Sequence, residues 1–296
     1  MEPRHPTIFL HALDNLWFQV GGTLCNLACE HCFINCGPRN HSFEFMTRQQ
    51  VHRTLEESRQ LGVKEYYFTG GEPFMNPQIM DILDMTLEAG PITLLTNGTL
   101  LKEEGVKRMA KMDNRSLYSL EIRISLDGHT EETNDAIRGM GVFKKVMAGV
   151  TLLIQHGFLP IITVTKTWED QEDGGILRGF KETLTAYGYE RPRIKVLPSL
   201  KLGREAARDR PYHQDERVTN EMEQGLDPSQ FLCSNTRIAT SRGVYVCPIL
   251  IEEEKALLGE SLKEAMGGFE LRYQACFTCY LYGAICSNIS FEEHYG

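Results

Sequence analysis

The chain has 296 residues, of which 42% are hydrophobic and 24% charged, and a formal net charge of −9. That composition excludes a disordered chain, and the length suits one large domain, or one with a small appendage. No Lys/Arg-rich stripe offsets the acidic balance, no apolar run approaches the roughly 20 residues that span a bilayer, and Met1–His5 lacks the basic-then-apolar start of a secretory signal, so a cytoplasmic protein with no nucleic acid and no membrane among its partners is expected.

Taken in chain order, short β-rich runs alternate with amphipathic stretches. Strands are expected at 16–20, 65–69, 92–96, 120–126, 159–165 and 193–197, and helices between them at 47–61, 77–89, 102–112, 143–155 and 176–187. Six βα units imply parallel strands with right-handed crossovers, as an open six-stranded barrel or a doubly wound sheet. In either, chemistry gathers at the carboxyl ends of the strands, which is where Gly21 and Gly22, 69–73, 96–98 and 125–128 fall. The expected fold is α/β: a partial (β/α)6 barrel over residues 1–200, a charged connector at 201–229, and a small β-hairpin-plus-helix unit at 230–296. Arg204, Arg208 and Arg210, interleaved with Glu205 and Asp209, read as a solvated face of that connector.

The nine cysteines fall into two groups near opposite ends of the chain, which points to two metal centres. In the first group, Cys25, Cys29 and Cys32 follow a CxxxCxxC spacing, with Cys36 just beyond. Such a short loop can ligate three irons of a four-iron cluster and leave the fourth open to a small molecule. Structural zinc, with His31 or Cys36 as fourth ligand, is the rival reading, because zinc closes a tetrahedron. The second group is Cys233, Cys247, Cys276, Cys279 and Cys286. Two cysteine pairs also suit a zinc ribbon.

The CxxxCxxC loop after a first strand resembles that of the radical SAM superfamily, and the resemblance runs through several motifs in order. Gly70, Gly71 and Glu72 resemble the GGEP segment that receives the ammonium of S-adenosylmethionine (SAM). Asn97 lies in a TNG resembling the one common after the third strand. Ser125 and Asp127 resemble the ribose- and carboxylate-binding end of the fourth. Arg138 would pair with the SAM carboxylate or lie on the surface. His31 stands where the family usually has Phe, Tyr or Trp, and would place its ring beside the adenine. The resemblance implies a [4Fe-4S] cluster on Cys25, Cys29 and Cys32, reductive cleavage of SAM to a 5′-deoxyadenosyl radical, and an external one-electron reductant such as flavodoxin or ferredoxin.

The second group looks like a twitch domain, the shortened relative of the SPASM extension. By that resemblance Cys233, Cys247, Cys276 and Cys279 ligate one auxiliary [4Fe-4S] cluster, with Cys286 able to replace one of them. Cys36 and Cys286 are then candidate catalytic thiols, as hydrogen-atom donors, or else inert core residues. Only 24 residues precede Cys25, fewer than a folded leader-peptide module needs. A small-molecule substrate, sugar- or aminocyclitol-like, is therefore the expectation, with oxidation or epimerisation as the outcome. A peptide-modifying maturase is the alternative, and a non-catalytic metal scaffold a third reading that leaves Gly70–Glu72 and Ser125–Gly128 unexplained.

Overall fold

A computed structural model describes residues 4–283 and 285; Cys286 lies outside the described residues. In chain order the elements are β1 (Thr7–Ile8), β2 (Asn15–Phe18), α1 (Arg48–Leu61), β3 (Glu65–Phe68), α2 (Ile79–Thr86), β4 (Ile92–Thr96), α3 (Glu103–Arg115), β5 (Leu120–Ser125), α4 (Glu131–Arg138), α5 (Val142–Gln155), β6 (Ile161–Thr165), α6 (Asp173–Ala186), β7 (Arg193–Leu197), α7 (Gly203–Arg208), β8 (Thr236–Thr240), β9 (Gly243–Tyr245), β10 (Leu257–Gly259), β11 (Phe269–Glu270) and α8 (Cys276–Tyr282). No helix among the described residues is long and apolar enough to cross a membrane.

Strands β2 to β7 pair side by side in sequence order, every pair parallel. A doubly wound sheet would reverse direction partway, so the unreversed order selects the open barrel. Alternation along the strands sorts the side chains onto two faces. Leu16, Phe18, Tyr66, Phe68, Ile122 and Ile124 pack against the helices, in one core with Val51 of α1, Val106 of α3 and Val146 of α5. Each such side chain, fully buried, is worth about 1.5–3 kcal/mol. Trp17, Tyr67 and Ile238 point the other way, into the barrel interior and a second core shared with the C-terminal unit. The Trp17 and Tyr67 rings stack there at 4.4 Å.

Local chemistry sets the element ends. Thr47 caps α1 in a reciprocal box with Gln50, and Gly62 ends that helix in the left-handed region. The turn at 126–130 leads into α4, capped by Thr130 and not anticipated from apolar periodicity because few of its residues are buried. The connector carries α7, and in the C-terminal unit a single 3-10 turn, Glu264–Met266, precedes the helix α8. The β-hairpin expected within 230–296 forms as antiparallel β8 and β9. Its first strand also pairs in parallel with β2, so the hairpin and β10 extend the barrel sheet to nine strands.

The turn after β3 packs directly beneath the first cysteine loop. Gly71 N–H donates to the Gly22 carbonyl at 2.8 Å, and Glu72 N–H to the Leu24 carbonyl at 3.0 Å. Gly70 has φ +142°, and a Cβ on Gly71 would lie 2.0 Å from the Leu24 oxygen. These glycines are required by the approach of one backbone to another. Gly71→Ala should therefore destabilise the fold by about 3 kcal/mol or more. Gly105→Ala, with nothing within 4 Å of its Cβ on α3, should instead stabilise by about 0.5–1 kcal/mol. Urea unfolding midpoints of the two variants check both signs.

Candidate functional site

The loop 21–37 crosses the carboxyl end of the barrel, held by a bridge between Leu24 and Gly37 and by Cys25 N–H on the Gly37 carbonyl. Cys25 is buried, and Cys29 and Cys32 are partly exposed. Burial pushes the Cys25 thiol up to about 12, against the N–H of Leu27 that points at its sulfur. The Cys36 thiol, also buried, hydrogen-bonds that of Cys32, which lowers the pKa of Cys32 and raises that of Cys36. No three His, Cys, Asp or Glu side chains among the described residues converge closely enough for a single ion. The trio offers separate thiols for separate irons, the donor set of an iron–sulfur cluster.

The strand ends beneath the loop carry the other expected residues. Glu72 is fully buried, and its carboxylate accepts from Phe74 N–H at 3.0 Å, Thr96 Oγ1 at 2.8 Å and Asn97 N–H at 2.8 Å. Burial raises its pKa, and those three donors oppose the rise. The carboxylate thus ties the end of β3 to the end of β4 and retains part of its acceptor capacity for a cation. Asn97 donates from Nδ2 to Asn26 Oδ1 at 2.9 Å and reaches Cys25 Sγ at 3.7 Å. It is a tie to the cysteine loop, and more than a turn residue.

Asp127 is buried, and its Oδ2 faces His31 Nε2 at 2.6 Å and accepts from Arg138 Nε at 2.5 Å, while Oδ1 accepts from Thr165 N–H at 2.7 Å. Burial alone would raise its pKa, but Arg138 and His31 together hold the carboxyl well below the usual carboxylate range. Arg138 is buried at 7% exposure, which removes the surface reading of that side chain. His31 is 9% exposed, and its Nδ1 is buried without a partner. A buried orphan nitrogen is costly unless something binds it, so the geometry fits a ligand at this point. Ser125 closes β5 in register with Thr163 of β6, whose buried hydroxyl is likewise unpartnered.

The sequence reading missed Arg204. Far from a solvated face, its Nε donates to the Cys29 carbonyl at 2.7 Å and its Nη2 to the Cys36 carbonyl at 2.6 Å. Its neighbour Glu205 is 1% exposed, bound by Arg208 and by Ser199. Interleaved charges gave no periodic signal of a buried helix, so composition misled here. Arg208 and Asp209 are exposed and Arg210 pairs with Glu216, so the solvated reading holds for that part of the connector.

The second group closes more tightly. Cys233, Cys247, Cys276 and Cys279 are all buried and line one small cavity whose remaining walls are apolar, Phe231 and Leu271 among them. Burial pushes Cys233 up to about 12, and raises Cys276 as well. Four thiols and no other polar side chain in the lining suit a fully ligated iron–sulfur group. Arg237, fully buried beside them, donates to the carbonyls of Cys233, Thr236, Ala265 and Gly267.

Comparison with known proteins places this geometry. The chain is 34% identical over 177 residues to the mycofactocin maturase MftC of Mycobacterium ulcerans, a match covering 59% of this chain and 45% of that protein. It is 30% identical over 135 residues to the antilisterial bacteriocin subtilosin biosynthesis protein AlbA of Bacillus subtilis, covering 45% of this chain and 29% of that one. These matches span less than half the length of either relative. Among solved structures, Streptococcus suis SuiB bound to its precursor peptide SuiA superposes with a TM-score of 0.64 at 16% identity, covering 85% of this chain and 63% of that chain, a likeness of fold.

These relatives overturn the expectation of a small-molecule, sugar- or aminocyclitol-like substrate, and with it the oxidation or epimerisation attached to it. The expectation rested on how few residues precede Cys25, and that length says nothing about what the barrel mouth accepts. Residues 20–172 match the Radical SAM superfamily, a span that holds Cys25, Cys29, Cys32, Glu72, Asn97, Asp127 and Arg138. The chain belongs to the radical SAM superfamily, whose members use SAM and a SAM-bound [4Fe-4S] cluster.

Proposed function

We propose that this chain is a peptide-modifying radical SAM maturase. Cys25, Cys29 and Cys32 hold the reductive cluster, and Cys233, Cys247, Cys276 and Cys279 an auxiliary one in a twitch-like unit. The observation that carries the reading is the 34% identity to a maturase over 177 residues. Bound together, cluster and SAM would supply one-electron reductive cleavage and hydrogen abstraction from an unactivated carbon.

The chain's own residues do the rest. Asp127 is already engaged by three donors, so its part is to orient His31 and Arg138, which present Nδ1 and the guanidinium to SAM. Glu72 and Ser125 serve the ammonium and the ribose, as their places at the ends of β3 and β5 allow. The partly exposed barrel face of β6 and β7 is the wall against which a peptide side chain is held dry. Four buried ligands at the second centre leave no iron open to substrate, which suits it to electron transfer between the peptide and an external one-electron carrier such as flavodoxin or ferredoxin.

Anaerobically reconstituted protein given SAM and dithionite should release 5′-deoxyadenosine, and Cys25→Ala should reduce that release to background. With a precursor peptide present, mass spectrometry should show a mass change in the peptide; turnover of sugars with every candidate peptide unmodified would sink the proposal. Cys276→Ala with Cys279→Ala should lower iron by about four per chain and abolish peptide product while sparing SAM cleavage. Asp127→Asn should weaken SAM binding and cost about 3–5 kcal/mol of stability, because Arg138 is left buried without its counter-charge. Since the folded carboxyl titrates below its unfolded value, the wild-type advantage is present above about pH 4 and lost as pH falls through the lowered folded value; unfolding measured from pH 7 to pH 3 reads the onset of that convergence.

A further inference from the structure

Arg204 binds the reactive loop at three points. Its own N–H donates to the Cys32 carbonyl at 3.1 Å, its Nε to that of Cys29 at 2.7 Å and its Nη2 to that of Cys36 at 2.6 Å. One residue of the connector thus gathers the backbone of two cluster cysteines and of the next cysteine along. The approach needs Gly203, at φ +53°, where a Cβ would lie 2.7 Å from the Cys32 and Phe33 oxygens. The guanidinium is partly buried, and the two groups it is seen to bind, the Cys29 and Cys36 carbonyls, are neutral, so its charge is not cancelled in those bonds. The charge therefore stands directly against the backbone of the cysteine loop. An opposing charge, the Glu252 carboxylate, is tied to the same loop by Asn35 at 3.3 Å and is also within the field of Arg204.

The geometry points to Arg204 as a positioning residue for the N-terminal cluster, one that fixes the cysteine loop and, through its charge, makes the cluster easier to reduce. The inference rests on Cys25, Cys29 and Cys32 carrying that cluster. Reduction adds one electron from the external one-electron reductant and leaves the centre one unit more negative. A fixed cation held against the loop stabilises the reduced state over the oxidised one. Arg204 therefore acts on the reduction equilibrium without touching the substrate.

The test is the reduction potential of anaerobically reconstituted full-length protein, followed by EPR on the signal that changes when SAM is added. Arg204→Gln should make the reduction equilibrium more than threefold less favourable, about 28 mV for a one-electron couple. Arg204→Lys, which keeps the charge but loses the fork, should stay within threefold of wild type. Should Arg204→Gln retain no iron, citrulline at position 204 keeps the shape and removes the charge, and the same threshold applies to it. A neutral variant within threefold of wild type, or Arg204→Lys falling as far as the neutral variant, overturns the proposal. Wild-type protein that assembles no SAM-responsive cluster instead sinks the cluster assignment beneath it.

Discussion

The whole site depends on two main chains lying against each other: the turn Gly70–Glu72 under the loop Gly21–Cys25. Hydrogen bonds from Gly71 and Glu72 to Gly22 and Leu24 leave no room for a side chain between them. This contact fixes where Cys25 stands relative to the end of β3, and so fixes the thiol trio against the barrel. It also explains why the turn sits at a strand end. Only there are backbone donors released from the sheet ladder and free to bind another segment.

Around that contact, buried charge is spent on positioning. Glu72 joins the ends of β3 and β4, and Asp127 joins β5, β6 and α4 to His31 of the loop. Each carboxylate is satisfied by three donors, which is what allows a charge to remain in an almost dry place. Atoms left without partners, His31 Nδ1 and Thr163 Oγ1, lie on the loop and on a barrel strand that the same carboxylate links. Under the proposed function, the groups turned toward SAM are thus aligned through residues that are themselves already committed.

Much of this was legible in the sequence, for identifiable reasons. The six parallel strands and five of the helices were signalled by period, because each buries one face against a large core. The cysteines and the Gly70–Glu72 turn were signalled by spacing, since their chemistry demands neighbours at fixed offsets. What escaped was long-range. Arg204 reaches Cys29 across 175 residues, and nothing in its charged surroundings distinguishes it from a solvated arginine. Asp127 was read as a ligand contact, and its engagement with His31 across 96 positions shows first as an orienting one. Arg237, a buried cation inside a strand, likewise has partners 28 and 30 positions away and no local signature.

The parallel pairing of β8 with β2 has a consequence for how the polypeptide matures. Asn15 meets Thr236 and Phe18 meets Ala239, so the first barrel strand keeps one open edge until more than two hundred further residues have left the ribosome. Such distant pairing makes for slow closure and exposes a strand edge to stray association in the meantime. The N-terminal cysteine loop likewise gains its contacts with Arg204 only after about 170 further residues have been made.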